Sequence, residues 1–151
     1  MNRNFRDILS ALSVEGVEFL IVGAYALAVH GLPRATGDLD IWIRPTAENA
    51  RRVWNALLRF GAPLASMDIK DFETPDIVFR MGLPPTQIDI LMSISGVMFE
   101  EAWPNRLEQE VEGVKVPVLG VADQIRNKRS TDRPKDKLDA DWLEQHKRAG
   151  V

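Results

Sequence analysis

Two aspartates, Asp38 and Asp40, lie one residue apart in an otherwise apolar stretch, DLDIWI, at residues 38–43. Because alternate side chains of a β-strand point to the same face, these carboxylates would share one face, and Leu39 and Ile41 the other. Two unpaired carboxylates on a buried face are costly, and their Cβ atoms would stand roughly 7 Å apart. At that spacing their oxygens can converge on a divalent cation, which offsets their mutual repulsion. The pair therefore predicts a metal site.

A third aspartate, Asp89, lies on another predicted strand with the same alternation, TQIDILM, at residues 86–92. If this strand neighbours the first at the usual spacing of about 4.8 Å, Asp89 completes a cluster of three carboxylates. The sequence has no cysteine and only two histidines, far apart in the chain, so the cluster favours a hard ion, Mg²⁺ or Mn²⁺. The alternative is that Asp38 and Asp40 face solvent on an edge strand and that Asp89 is unrelated.

A tight turn precedes the two acids in the chain. Gly23 ends the apolar run VEFLIVG, and a short predicted helix follows at residues 24–31. Glycine lets the backbone turn sharply into a helix whose first N–H groups can bind an anion, and the small Ala24 leaves room for a phosphate group. Trp42 shares the face of the acids, where it could stack on a base or pack against the C-terminal helices.

The elements that must position these residues are predicted from apolar periodicity and from turn residues. Helices are expected around residues 5–12, 24–31, 46–61, 120–129 and 134–150, with a helical turn at 97–103. Strands are expected at residues 17–23, 38–45, 76–81, 86–94 and, as a pair, within 107–120, and residues 62–74 are expected to be a loop with some strand. Leu57 and Leu58 are predicted to share the buried face of the third helix. The pattern predicts an α/β or α+β domain, in which a mixed sheet is flanked by helices and C-terminal helices follow.

Length and composition bound the protein class. With 151 residues, 45% hydrophobic and 27% charged, the chain suits one soluble domain over residues 1–151, with a sheet-containing core at about 1–120 and a helical part at about 121–150. No apolar run approaches a membrane span and the first residues lack signal-peptide features, so a cytoplasmic location and no membrane partner are expected. The net charge of −3 carries no signature of nucleic-acid binding, although residues 126–137 are locally basic. P-loop, GxGxxG, GxSxG and HExxH motifs are absent, which removes several common enzyme classes.

The order of these features resembles a known family. A strand, a Gly-small turn, a short helix, an acid-apolar-acid strand and a distant single aspartate are the pattern of the nucleotidyltransferase superfamily, which has a polymerase β-like fold. Residues 22–43, VGAYALAVHGLPRATGDLDIWI, look like the abortive-infection toxin type of bacterial nucleotidyltransferase and its uncharacterised relatives. Lys128, followed by RPKDKLDA at residues 133–140, is similar to the lysine and RxKDxxD pattern that ends that branch.

The resemblance implies a role for each matching residue. Asp38 and Asp40 would hold two metal ions, and Asp89 would complete one site and help to activate an acceptor hydroxyl. The remaining expected nucleotide contacts are Gly23, Ala24, Arg34, Thr36, Lys128 and Arg133. Asp136 is expected to orient a basic neighbour, and Asp139 is expected to lie on the surface of the last helix. Many family members have Gly-Ser or Gly-Gly at the turn. This chain has Gly23-Ala24, so a serine hydroxyl that could contact a phosphate is missing.

The function implied is a Mg²⁺-dependent transfer of a nucleoside monophosphate from an NTP, such as ATP, with release of pyrophosphate. The family suggests RNA, such as a tRNA end, or a protein hydroxyl as acceptor, and a toxin-antitoxin system in which an antitoxin is the partner. Two alternatives stay open. One is a non-catalytic nucleotide-binding or partner-binding module of the same fold, antitoxin-like in role, and the other is a metal-dependent phosphodiesterase that uses the same acids.

Overall fold

The computed structural model describes residues 2–33 and 37–147. Within these residues six α-helices flank one mixed six-stranded sheet, which confirms the predicted fold class. The helices are α1 Arg3–Val14, α2 Gly23–Val29, α3 Ala47–Phe60, α4 Phe99–Ala102, α5 Val121–Arg129 and α6 Pro134–His146. The strands are β1 Phe19–Val22, β2 Leu39–Ile43, β3 Val78–Met81, β4 Ile88–Leu91, β5 Leu107–Val111 and β6 Val114–Val118. None of the helices in this part of the chain combines the length and apolar character needed to cross a membrane.

The sheet order is β3-β4-β2-β1-β6-β5. Two antiparallel hairpins, β3–β4 and β5–β6, form the ends of the sheet. Between them β1 lies antiparallel to β2 and parallel to β6, and β2 lies parallel to β4. This order brings β2 and β4 side by side although about 45 residues separate them in the chain. The strands that carry Asp40 and Asp89 are therefore neighbours inside the sheet.

Local sequence signals account for both ends of α3. The Thr46 side chain caps α3 by accepting a hydrogen bond from the backbone of Asn49, and Gly61 ends that helix in the left-handed conformation. Two predictions along this part of the chain were wrong. Leu58 is 58% exposed because it lies about 100° around the helix from the buried Leu57. The loop after α3 contains a short 3₁₀ helix, Ile69–Glu73, where some strand was expected.

Both faces of the sheet are covered by apolar side chains. On one face Leu39, Ile41 and Ile43 are buried under α1 and α3. On the other face Trp42 is buried against Phe99 of α4, with 5.0 Å between the ring centroids. Stacking of Trp42 on a base and packing against the C-terminal helices were therefore both wrong, because α4 covers the ring. The apolar cluster around Trp42 therefore covers part of the face that carries the acids.

A buried asparagine ties β1 and β2 to α3. The Asn49 side chain donates to the carbonyl oxygens of Glu18 and Arg44, both at 2.9 Å, and accepts from the Glu18 backbone N–H at 2.8 Å. Asn49→Ala removes all three bonds, and we expect it to lower the free energy of unfolding by about 2–4 kcal/mol, because buried partners lose their hydrogen bonds. Asn55→Ala, at an exposed position of the same helix, should change it by less than about 0.5 kcal/mol. Urea unfolding measures both, and equal effects would contradict the assigned role.

Candidate active site

The register of the sheet brings the three predicted acids together. In the parallel pair β2–β4, Asp40 lies directly opposite Asp89. Asp38 lies just before β2, where its carboxylate accepts a hydrogen bond from the Gln87 backbone N–H at 3.2 Å. The three acids therefore stand on one face of two adjacent strands, as the alternation predicted, and the edge-strand alternative does not describe them.

Gly23 lies against Asp40 because β1 and β2 are antiparallel neighbours. Val22 pairs with Asp40, so the next residue turns over the carboxylate. Gly23 has a positive φ of 68°, and a Cβ atom placed on it would collide with the Asp40 Oδ2 atom. Glycine is needed here both for the backbone conformation and for the close approach to the acid. The predicted tight turn into α2 is confirmed.

Two side chains that the sequence did not indicate hold Asp89. Arg80 of β3 lies directly opposite Asp89 and donates from Nε to Oδ1 at 3.0 Å and from Nη2 to Oδ2 at 3.3 Å. The Gln87 side chain donates to the same two oxygens at 3.1 and 3.2 Å. Over residues 2–33 and 37–147, no three Asp, Glu or His side chains are arranged so that they could hold a metal ion as they stand. Both carboxylate oxygens of Asp89 already accept hydrogen bonds from Arg80 and Gln87.

Asp40 carries an electrostatic cost that a cation would relieve. Burial raises the pKa of Asp40 to about 6, and repulsion from Asp89 and then Asp38 adds to the increase. The positive charges of Arg80 and Lys128 offset only part of it. Carboxylate oxygens are the ligands that Mg²⁺ and Mn²⁺ prefer. The chemistry of Asp38 and Asp40 thus fits a hard divalent cation, whereas Asp89 would first have to leave its present partners.

A cleft of about 720 Å³ opens beside Asp40 and the Gly23 turn. This volume lies within the range of about 300–1,000 Å³ that is usual for small-molecule sites. One wall consists of α2 and the chain after β4, and the other consists of α5 and α6. The polar and small residues that line it include Gly23, Ala24, Asp40, Ser93, Ser95, Asn127, Lys128, Thr131, Arg133, Lys135, Asp136 and Asp139. The structure therefore brings Gly23, Ala24, Asp40, Lys128 and Arg133 to one cleft. Asp38 and Asp89 lie next to Asp40 but are not among the residues that line it, and Arg34 and Thr36 lie outside the described residues.

Two acids of α6 contact the basic residues of the cleft. Asp136 accepts hydrogen bonds from Lys128 at 3.1 Å, from Thr131 at 2.7 Å and from Arg133 at 2.7 Å. Burial would raise the pKa of Asp136, but the hydrogen bonds from Thr131 and Lys128 and the nearby positive charges hold this pKa below its usual value. The expectation that Asp136 orients a basic neighbour is confirmed. Asp139 also contacts Lys128, at 3.4 Å, and is buried, so its placement on the surface was wrong: α6 packs that face against α5.

Comparison with known proteins adds one finding about the fold. No protein-family model matches the sequence, and no curated protein does. A solved structure from Thermotoga maritima, a putative nucleotidyltransferase, covers 95% of this chain and 92% of its own, with a TM-score of 0.57 and 17% sequence identity. The two chains share a fold. At 17% sequence identity this likeness shows the fold alone.

Asp136 has a measurable role in the stability of the α5–α6 wall. Asp136→Asn leaves Lys128 and Arg133 without their closest carboxylate, so we expect a loss of about 3 kcal/mol in the free energy of unfolding at pH 7. Because the pKa of Asp136 is lowered in the folded state, its stabilisation exists above the unfolded pKa of the group and is lost as the pH falls through the folded one. Chemical denaturation at pH 7 and pH 3 should show a difference that shrinks in acid.

The control for this experiment lies on the same helix. Asp141 has a 67% exposed side chain and makes a 3.7 Å ion pair with Arg129. Asp141→Asn should cost less than about 1 kcal/mol, because exposed ion pairs contribute little. A loss as small as this for Asp136→Asn would show that the buried network is not a stabilising unit.

Gln124 is a further residue near the site that the sequence did not indicate. It is buried on α5, and its side-chain amide donates to the carbonyl oxygen of Gly23 at 3.3 Å. It lies one helical turn before Lys128, so both side chains point toward the cleft side of α5. No local signal could reveal this contact, because it joins residues 101 positions apart.

Proposed function

We propose that this protein is a metal-dependent nucleotidyltransferase that transfers a nucleoside monophosphate from an NTP to a hydroxyl acceptor. In the overall reaction the acceptor oxygen forms a bond to the α-phosphorus, the bond to the β-phosphate bridge breaks, and pyrophosphate leaves. The observation that carries the proposal is the position of Asp40. It lies opposite Asp89 and against Gly23, and it lines a cleft that Lys128, Arg133 and Lys135 also line.

Each group has a distinct task in this proposal. Asp38 and Asp40 would hold Mg²⁺ or Mn²⁺, which when bound supplies positive charge at the reacting phosphoryl group. Lys128, Arg133 and Lys135 place positive charge where the triphosphate would lie, and the Gly23-Ala24 turn leaves room for it. Asp89 would receive the proton of the acceptor hydroxyl once its carboxylate is free of its protein partners.

The proposed acceptors are RNA, including a tRNA end, or a protein hydroxyl. The proposed setting is a cytoplasmic toxin-antitoxin system with an antitoxin partner, in keeping with the resemblance of residues 22–43. Much of the basic charge between residues 126 and 137 is offset by acids, since Arg126 contacts Asp123 and Arg129 contacts Asp141. This offset disfavours tight, salt-driven binding of a long nucleic acid. A short RNA end or a protein side chain fits the proposal better.

One observation favours the second candidate, a non-catalytic binding module of the same fold. Asp89 is engaged by Arg80 and Gln87, so the three acids do not form a ready three-ligand site. A module of this kind would bind nucleotide in the cleft without turning it over.

One assay separates the candidates. The protein is incubated with each α-labelled NTP, Mg²⁺ or Mn²⁺, and total RNA or protein as acceptor. Transfer of label with release of pyrophosphate, both abolished by a chelator, is the expected result. Binding of NTP without transfer in any combination would support the module. Cleavage of a phosphodiester substrate without NTP would support the phosphodiesterase alternative.

A further inference from the structure

The third acid of the site is held by a pair of donors that come from its own hairpin. Arg80 faces Asp89 across β3–β4 and contacts both carboxylate oxygens, at 3.0 and 3.3 Å. Gln87, two residues before Asp89 and on the same face of the chain, donates to both oxygens as well. The carboxylate of Asp89 is thus oriented by the protein alone and has no need of a cation to fix it.

The two partners of this ion pair differ in burial. The Asp89 side chain is 10% exposed, whereas the Arg80 side chain is 61% exposed on the edge strand of the sheet. An exposed guanidinium regains water when it leaves, so its release costs little. The buried Asp89 carboxylate cannot regain water in this way, so it would be left without a counter-charge unless another cation binds it. Arg80 is therefore the member of the pair that can move.

Arg80 and a divalent cation would use the same oxygens of Asp89. Arg80 offers one positive charge to three neighbouring carboxylates, whereas a divalent ion offers two and can contact them from within the cluster. Arg80 also stands apart from the residues that line the nucleotide-sized cleft. It can therefore leave Asp89 without disturbing the groups expected to contact the triphosphate.

We propose that Arg80 is a counter-ion that competes with the divalent cation for Asp89, so that the metal site is completed only when Arg80 is displaced. This inference rests on the proposed metal-dependent function. Arg80 is a positioning residue in this scheme, since it acts through Asp89. It sets the cation concentration at which the third carboxylate joins the site.

The test is a titration of the full chain with Mn²⁺ alone, followed by electron paramagnetic resonance of the free ion. Arg80→Gln should bind Mn²⁺ about tenfold more tightly than the wild type, the scale expected when a competing exposed cation is removed. Arg52→Gln is the matched control, because it removes the same charge from an exposed ion pair with Glu48 on α3. Its affinity should stay within about twofold of the wild type. In an Asp89→Asn background, Arg80→Gln should have no effect.

Equal or weaker Mn²⁺ binding by Arg80→Gln, or an equal gain in Arg52→Gln, would overturn the role of Arg80. If the wild type binds Mn²⁺ and Asp40→Asn does not, the proposed metal-dependent function survives that result. Absence of Mn²⁺ binding in every variant, with folding verified by circular dichroism, would reject both proposals.

Discussion

Asp40→Asn is expected to abolish nucleotidyl transfer and, at the same time, to make the protein more stable above pH 6. Asparagine keeps the size of the side chain but removes the negative charge that would hold the cation. We expect the rate of transfer to fall by about a thousandfold or more, the scale seen when a principal charge-stabilising group is lost. Transfer of label from an α-labelled NTP measures the rate, and full activity in this variant would refute the role of Asp40.

The gain in stability follows from the raised pKa of the acid. Burial in the folded protein raises the pKa of Asp40 from 3.8 to about 6, and repulsion from Asp89 and Asp38 contributes to this increase. Ionisation of Asp40 therefore opposes folding: the wild type loses stability as the pH rises from about 4 through 6, by on the order of 3 kcal/mol in total. The asparagine variant lacks this loss.

Urea unfolding at pH 4, 6 and 8, without divalent ions, tests this pH dependence. The difference between Asp40→Asn and the wild type should be small at pH 4 and close to its maximum at pH 8. Asp141→Asn, which changes an exposed acid, should show no such trend. Curves for wild type and Asp40→Asn that stay parallel over this range would mean that Asp40 is ionised without penalty.

Gly23→Ala is expected to damage both the fold and the activity. The residue has a φ of 68°, which costs a side chain about 1–2 kcal/mol, and the new methyl group would collide with the Asp40 carboxylate. We expect a loss of about 3 kcal/mol in the free energy of unfolding and at least about a hundredfold loss of transfer, because Asp40 must leave its position. Thermal or urea unfolding and the same transfer assay measure the two effects.

Gly16→Ala provides the matched control for this substitution. Gly16 has nearly the same φ, 71°, but a Cβ atom there would meet nothing within 4 Å. It should lose only the backbone cost of about 1–2 kcal/mol and keep full activity. Combining Gly23→Ala with Asp40→Ala removes the contact with the carboxylate and leaves only the Asp40 Cβ atom, at 3.2 Å, so the stability loss should shrink toward that of Gly16→Ala. If Gly23→Ala behaves like Gly16→Ala from the start, the close approach to Asp40 has no energetic weight.

The three acids of the site could be identified from the sequence because strand periodicity is a strong local signal. The alternation was sufficient to predict that Asp38 and Asp40 share one face and that Asp89 faces one side of its own strand. That the two strands are neighbours was only a condition, which the sheet order meets. The Gly23 turn was equally readable, since its glycine follows an apolar strand and begins a helix of small residues.

Contacts between distant elements were not readable in the same way. The Gln124 bond to Gly23 depends on how α5 packs against α2, which no local pattern encodes. Asp139 looked like a surface acid because its helix carries many charges, and only the pairing of α5 with α6 buries it. The pairing of Arg80 with Asp89 was also out of reach: the expected strands, 76–81 and 86–94, would pair Arg80 with Gln87, whereas the observed register pairs it with Asp89. Trp42 was misjudged because α4 lies far along the chain and covers it.

The apolar contacts of α2 with α5 and α6, through Leu27, Val121 and Leu143, have a consequence for synthesis of the protein. Asp38, Asp40 and Asp89 belong to the first two thirds of the chain, and the wall that carries Lys128, Arg133 and Lys135 belongs to the final helices. A nascent chain on the ribosome thus exposes its carboxylates before any lysine or arginine of α5 and α6 has emerged. Until those helices dock, the cleft lacks its second wall, so it can form only after the last helix has been synthesised.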